Sequence, residues 1–273
     1  MAGQSSSRPR AWRTAARVPV GAAFVCASVF AAAGPALADD ASDMSAQELA
    51  DAAKKELTDA KSLHVKLTER TDERELRTPS SFDLRLDEDG NCTGSLTMGT
   101  GGADGGSLDL VKRGDEVWMK PDATFWKAQV PGGAGELAAQ LFDGRYVHGT
   151  TDDPMLDGLS DVCDLDSFRG ELENGSGGSG PDHLTKGDET TVRGTDVVPL
   201  TGREHGKDFT LYVASDEPHQ LVRATVKGTD ESVTMTLTDY GKPVPDETPS
   251  ADQSVDISKL RDMAPDETPR AGA

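Results

Sequence analysis

The hydrophobic and polar positions of this chain follow two periods, one helical and one typical of strands. Leu49, Ala53 and Leu57 recur at helical spacing behind Ser45, which forms a capping box with Glu48. This pattern predicts an amphipathic helix at the start of the fold. From residue 63 onward the period is two, which predicts strands that are each buried on one face. The segments with this alternation are 63–68, 82–87, 92–98 and 108–112.

A fifth segment, 117–121, carries apolar residues on both faces. Val117 and Met119 point to one side of a strand and Trp118 points to the other. We therefore expect a strand that is covered on both sides. The proline at its end has no amide donor, so the ladder stops there and the pair Phe125-Trp126 falls in a connecting segment.

A crossover with helical patterns follows, and a second set of strands comes after it. The helical patterns cover 135–142, 154–162 and 165–172, and a Gly/Ser linker spans 174–180. Period two then returns in about four segments between 190 and 237. Two one-sided meanders separated by helices predict an α+β fold, with helices over one face of an antiparallel sheet.

The start of the chain has the composition of a targeting segment. Residues 1–38 hold four arginines and no acidic residue, then an apolar stretch that ends in Ala36-Leu37-Ala38. This order predicts a signal peptide cleaved after Ala38, and a mature protein that is secreted or held in the cell envelope outside the cytoplasm. Cys26 lies too early in the segment to serve as a lipid anchor at the cleavage site.

The end of the chain is rich in proline and acidic residues. The pentad Pro-Asp-Glu-Thr-Pro occurs at 245–249 and again at 265–269. Such a composition predicts an acidic tail over 245–273 that does not fold alone, and a domain that spans 39–244. Within the tail, Val255, Ile257 and Leu260 are the residues expected to dock as an edge segment.

The charge of the chain excludes two classes of partner. The sequence has 28 basic and 48 acidic residues, a formal net charge of −20, and the predicted signal peptide takes four of the arginines away. Proteins that bind nucleic acid or anionic membranes offer a basic surface, so neither partner is expected. The acidity itself is interpreted as a solvated surface.

Two cysteines remain after the signal peptide, Cys92 and Cys163. An even pair in an exported chain predicts a disulfide bond, and here it would tie the third strand to the helical crossover. The alternatives are two free thiols or a metal pair.

Motifs for catalysis or metal binding do not emerge from the sequence. The five histidines are scattered, without the spacing of a helical zinc pair, and no nucleophile elbow or phosphate loop is present. Asp157, Asp161, Asp164 and Asp166 do not match a calcium loop and are interpreted as helix caps and a solvated face. We therefore expect no catalytic residue, metal or cofactor.

Five segments of the chain, taken in order, carry a family resemblance. They are the early capped helix, Asp-Gly-Asn-Cys-Thr-Gly at 89–94, Val-Trp-Met-Lys-Pro at 117–121 with Phe125-Trp126, Val-Cys-Asp-Leu at 162–165 and Thr-Asp-Tyr-Gly-Lys-Pro-Val at 238–244. Over about residues 45–260 the chain resembles the actinobacterial secreted lipoproteins related to LppX and LprG, which share the fold of the lipoprotein carrier LolA.

The resemblance implies a curved antiparallel β half-barrel with helices packed on its concave face. It also implies a hydrophobic cavity between the two that binds lipid. The chain departs from that group in having no lipobox.

We therefore expect a non-enzymatic binding or carrier protein for a lipid or another apolar small molecule. The alternative is an envelope module for protein interaction or sensing, with a filled core and no ligand. A secreted hydrolase is the third hypothesis, and it lacks a nucleophile and base in the motifs. The predicted ligand-binding residues are apolar side chains of the crossover and inward strand positions: Trp118, Phe125, Trp126, Leu137, Leu141, Phe142, Leu156, Leu159, Phe168, Leu63, Val65, Phe82, Leu84, Leu96 and Met98.

Overall fold

A computed structural model describes residues 40–153, 156–175 and 183–257, with the backbone alone at 157 and 171–175. The predicted signal peptide, most of the predicted Gly/Ser linker and Leu260 lie outside these ranges. All described residues belong to one compact unit.

Helices and strands alternate along the chain largely as the two periods predict. The helices are α1 (Ala46–Asp59), α2 (Ala123–Gln129), α3 (Gly133–Leu141), α4 (Asp157–Ser160) and α5 (Leu165–Gly175), with 3-10 turns at Asp161–Cys163 and Ala251–Gln253. The strands are β1 (Ser62–Thr71), β2 (Pro79–Asp87), β3 (Cys92–Met98), β4 (Ser107–Arg113), β5 (Glu116–Pro121), β6 (Tyr146–Thr150), β7 (Thr185–Lys186), β8 (Thr190–Val192), β9 (Thr195–Glu204), β10 (Lys207–Ala214), β11 (Leu221–Lys227), β12 (Glu231–Thr238) and β13 (Ser254–Asp256).

The two predicted meanders form one continuous sheet. Within the described residues it has 13 strands in the order β13-β6-β5-β4-β3-β2-β1-β12-β11-β10-β9-β7, and β8 pairs with β9 beside this path. The first meander joins the second because β1 and β12 pair antiparallel, with Val65 opposite Leu237. The pairing of β6 with β13 is parallel. The expected fold, a large open antiparallel sheet with helices against one face, is confirmed.

Two elements of the crossover differ from the sequence prediction. Residues 146–150, which had no predicted strand, form β6 beside β5 and place His148 opposite Trp118. Phe125 and Trp126, expected in a connecting segment, lie in α2, which begins where the Asp122 carboxylate accepts a hydrogen bond from the Phe125 amide at 2.7 Å.

The main core lies between the helices and one face of the sheet, here called the inner face. Leu49, Ala53 and Leu57 are the buried stripe of α1, behind the predicted capping box of Ser45 and Glu48. They share one apolar cluster with the inward residues of both meanders. A smaller cluster of Val192, Val197 and Val222 is separate from it.

A disulfide bond joins Cys92 on β3 to Cys163 in the 3-10 turn after α4, as the sequence predicts. The two Cα atoms are 5.4 Å apart and the bond closes 71 residues of chain. Both cysteines are fully buried. The bond therefore fixes the α4 end of the crossover to the sheet.

After β12 the described part of the chain crosses the sheet to its far edge. Residues 241–253, here called the strap, start where the Gly241 amide donates to the Ser62 carbonyl and lead into β13 beside β6. Six strands lie between β12 and β13. Val255 and Ile257 thus dock at the sheet edge, as the sequence predicts.

Candidate ligand-binding layer

Most of the predicted ligand-binding residues lie together between the inner face and the helices, in what is called the inner layer below. Strand alternation points the β1, β2 and β3 members inward, and residues in or directly beside α2, α3, α4 and α5 cover them. The residues that share this layer are Leu63, Val65, Phe82, Leu84, Leu96, Phe125, Trp126, Phe142, Leu156, Leu159 and Phe168.

Three aromatic rings lie at the centre of the helical side of this layer. The ring of Trp126 is 5.3 Å from that of Phe142 and 6.0 Å from that of Phe125, edge to face with the latter. Only 3% of Trp126 is exposed. Its indole Nε1 is buried and has no hydrogen-bond partner among the described residues.

Helix α3 presents its small residues to the core and its large ones to solvent. Its buried residues are Gly135 and Ala139, whereas Leu137 and Leu141 are 66% and 56% exposed. An offset of two residues is about 200° around a helix, so the leucines point away from the inner layer. A Cβ on Gly135 would lie 2.7 Å from the Trp126 carbonyl oxygen, so α3 approaches α2 too closely for a larger residue.

Leu137 and Leu141 were predicted to line the ligand, and the structure places both at the surface. Trp118 is a second correction. It lies on the face opposite to the inner layer, because Val117 and Met119 take the inward positions of β5. There it stacks on His148 with 4.5 Å between ring centroids. Met98 is half-buried at the end of β3, outside the core cluster.

The strap runs over this outer face. Arg113 lies on the same side of β4 as Val111, the register partner of Trp118. Burial of its guanidinium lowers the Arg113 pKa, and the charges of Asp87 and of the strap residues Asp246 and Glu247 offset this only in part. Since Trp118 is only 5% exposed, we attribute its burial to the strap and His148.

A polar cluster on the outer face was not predicted from the sequence. His64 Nε2 lies 2.6 Å from Asp83 Oδ1, and its Nδ1 lies 3.1 Å from Thr238 Oγ1. Burial raises the pKa of Asp83, but hydrogen bonds from His64 and Lys66 outweigh it, so this pKa lies below its usual value. The cluster ties β2, β1 and β12 together across the junction of the two meanders.

The sequence predicts only the local part of this polar cluster. Alternation places His64 on the polar side of β1, but its partners come from a register that pairs residues 64 and 238. Lys242 extends the cluster by donating to Asp239 at 2.6 Å, which lowers the pKa of that carboxyl.

A polar cleft of about 500 Å³ lies at the opposite end of the same strands. Its lining is carboxylates, hydroxyls, one lysine and one histidine, which does not suit an apolar ligand. The residues are Glu69, Thr71, Glu73, Glu75, Thr78, Thr100, His205, Gly206, Lys207, Gly228, Thr229, Asp230 and Glu231.

Neither a metal cluster nor a membrane span is found in the described ranges. No group of three or more His, Cys, Asp or Glu side chains there is arranged to hold a metal ion. None of the helices in these ranges has the length and apolar character needed to span a membrane.

Comparison with known proteins finds similarity to solved structures. No protein-family model matches the chain, and no curated protein gives a significant match. The lipoprotein LppX of Mycobacterium tuberculosis is 16% identical, with a TM-score of 0.46 over 74% of this chain and 98% of LppX. LprF of Mycobacterium bovis is 16% identical, with a TM-score of 0.47 over 75% of this chain and 97% of LprF.

An uncharacterized conserved protein of Thermus thermophilus is 13% identical, with a TM-score of 0.33 over 78% of this chain and 99% of that protein. LppX belongs to the group of secreted lipoproteins that the sequence motifs resemble.

Proposed function

We propose that the protein is a non-enzymatic, extracytoplasmic binding or carrier protein for a lipid or another hydrophobic ligand. The ligand lies in the inner layer, between the inner face of the sheet and helices α2 to α5. The side chains available there are aliphatic and aromatic, which suits hydrocarbon and offers no catalytic group.

The orientation of α3 is the observation on which this proposal rests. A surface helix normally buries its large apolar side chains, but α3 buries Gly135 and Ala139 and exposes Leu137 and Leu141. Small residues leave a thin contact between α3 and the core, and the exposed leucines extend the apolar surface outward from it. A lid of this kind lets an apolar molecule pass from the surface into the layer beneath.

The elements around α3 suit such movement. Gly132 at its start has a φ of +67° and offers no side-chain cap, so no side-chain hydrogen bond closes that end of the helix. By contrast, the bond between Cys92 and Cys163 fixes the far end of the crossover to β3. Opening is therefore confined to α2 and α3.

A second candidate is an envelope protein-interaction or sensor module without a ligand. The observation in its favour is that the residues of the inner layer pack as one continuous cluster. In that case Leu137 and Leu141 would contact a partner protein.

The test is titration of delipidated protein with the neutral fluorophore N-phenylnaphthylamine, whose emission rises in an apolar site. We expect saturable binding by the wild type and its loss in Ala139→Trp, which puts a bulky ring between α3 and the inner layer. Ala134→Trp is the matched control, since Ala134 lies on the exposed side of the same helix. Absence of binding by a folded wild type would favour the interaction module. Native mass spectrometry of protein purified from its own host would then separate a bound lipid from an empty core.

A further inference from the structure

The indole N–H of Trp126 is a buried donor that finds no acceptor among the described residues, in an otherwise apolar layer. A buried tryptophan normally pairs this group, because an unpaired donor loses its hydrogen bonds to water without replacement. Here the neighbouring rings are those of Phe125 and Phe142, which contain no acceptor oxygen.

The other buried side-chain atoms that make no hydrogen bond within the described residues lie mainly elsewhere. Arg113, His148 and Arg223 point from strand positions on the outer side of the sheet, and His219 lies in the turn before β11. Ser160 is on α4, whereas Trp126 on α2 belongs to the apolar cluster of the inner layer. Among the described residues, that layer therefore holds a buried N–H without a hydrogen bond, the indole N–H of Trp126.

We infer that Trp126 Nε1 donates to a carbonyl oxygen of the bound molecule, so that the ligand is an acyl ester and not a plain hydrocarbon. This inference rests on the proposed function, since it places the ligand in the inner layer. One indole donor matches one carbonyl acceptor, and the acyl chain then lies along the apolar side chains of β1 to β3.

The charges near the layer favour a neutral ester over a free fatty acid. The basic residue of α2, Lys127, is exposed. On α5, Arg169 already donates to the Leu57 carbonyl and to Asp166. A carboxylate beside Trp126 would be buried without a counter-charge, which is far more costly than burying a hydrogen-bonded carbonyl.

The inference is tested with a matched pair of probes that compete with N-phenylnaphthylamine. Methyl palmitate carries the carbonyl, and hexadecyl methyl ether replaces that carbonyl with CH2 at equal chain length. We expect wild type to bind the ester about three- to tenfold more tightly, the ratio that one net hydrogen bond supplies. Trp126→Phe keeps the aromatic body but has no N–H, so the preference should disappear. Trp118→Phe on the opposite face should keep it.

Nuclear magnetic resonance of the wild type gives a readout that does not depend on folding of the variant. The indole proton of Trp126 should move downfield with methyl palmitate and stay in place with the ether. Equal affinity for the two probes, or an ester preference that persists in Trp126→Phe, would overturn the inference and leave the proposed function standing. Failure of the wild type to bind the fluorophore would overturn both.

Discussion

The side chain of His64 on β1 contacts residues of two other strands and so links three strands. Its two ring nitrogens face Asp83 on β2 and Thr238 on β12, and Lys66 pairs with the second oxygen of Asp83 at 2.9 Å. A neutral imidazole that donates from Nε2 can accept the threonine hydroxyl at Nδ1, so both neighbours are satisfied together. The junction of the two meanders therefore depends on a charged cluster in addition to backbone pairing.

This cluster should make stability depend on pH. The folded pKa of Asp83 is lowered, so its contribution is present above the unfolded value of about 4 and is lost as the pH falls through the folded value. Asp83→Asn should lower the free energy of unfolding by about 1 kcal/mol at pH 7. The difference in the free energy of unfolding between Asp83→Asn and wild type should shrink below about pH 4. Urea denaturation across this range measures it.

The exposed Asp89→Asn is the control, since it removes a carboxylate without these partners and should change little at any pH. If Asp83→Asn were equally destabilising at pH 7 and pH 3, the loss would be due to packing and the charge argument would fail.

Among the elements, the disulfide bond fixes one end of the crossover to the sheet. Replacing Cys92 and Cys163 with alanine should lower the free energy of unfolding by about 2–5 kcal/mol, because the unfolded chain regains the freedom of a long loop. Denaturant melts of the variant and of reduced wild type should agree. Two free thiols in the exported protein would contradict this prediction.

The strap is the second element with a measurable role. Ending the chain after Tyr240 removes the strap and β13, so Trp118 should become exposed and its fluorescence should shift to the red. The same truncation in a Trp118→Phe background should show no such shift. Truncation after Ile257 keeps the strap, and its emission should match that of the full chain. A strap-free protein with unchanged emission would mean that other residues cover Trp118.

The sequence predicts those elements whose signal is local. Period two was enough to place Leu63, Val65 and Leu84 on one face, because alternation depends only on neighbouring positions. Strand order, and therefore the union of both meanders in one sheet, depends on pairings between distant residues. β6 was not predicted because it has only five residues, and of the two that face the core, Val147 and Gly149, the glycine gives no hydrophobic signal. α2 is too short, at seven residues, for a helical period to emerge.

The sequence predicts that the candidate site is apolar, but it does not predict which way the residues of α3 face. Helix α3 carries apolar residues on nearly every side, so its sequence does not determine whether Leu137 or Ala139 faces the core. The close approach of Gly135 to α2 decides it. The unpaired N–H of Trp126 could not be foreseen either, since it depends on the chemistry of all neighbouring side chains.

On the scale of the whole molecule, the net charge and the exposed leucines both affect how the protein meets a membrane surface. A formal charge of −20 repels anionic surfaces, whereas Leu137 and Leu141 offer apolar contact beside the inner layer. Under the proposed function, the protein should exchange ligand most readily with zwitterionic membranes. With anionic vesicles the exchange should be slower at low salt and should recover as salt screens the repulsion.

Leu137→Gln with Leu141→Gln should slow ligand exchange without changing how tightly the ligand is held. Both side chains are exposed, so their replacement removes little buried area and should alter the free energy of unfolding by about 0.5 kcal/mol or less. Transfer of a fluorescent acyl ester from phosphatidylcholine vesicles gives the rate, and titration with N-phenylnaphthylamine gives the affinity. Leu76→Gln, which removes an exposed leucine outside α3, is the control for apolar surface in general. If the double variant transferred ligand as fast as wild type, α3 would not be the route into the layer, and the lid would have to be sought among α4 and α5.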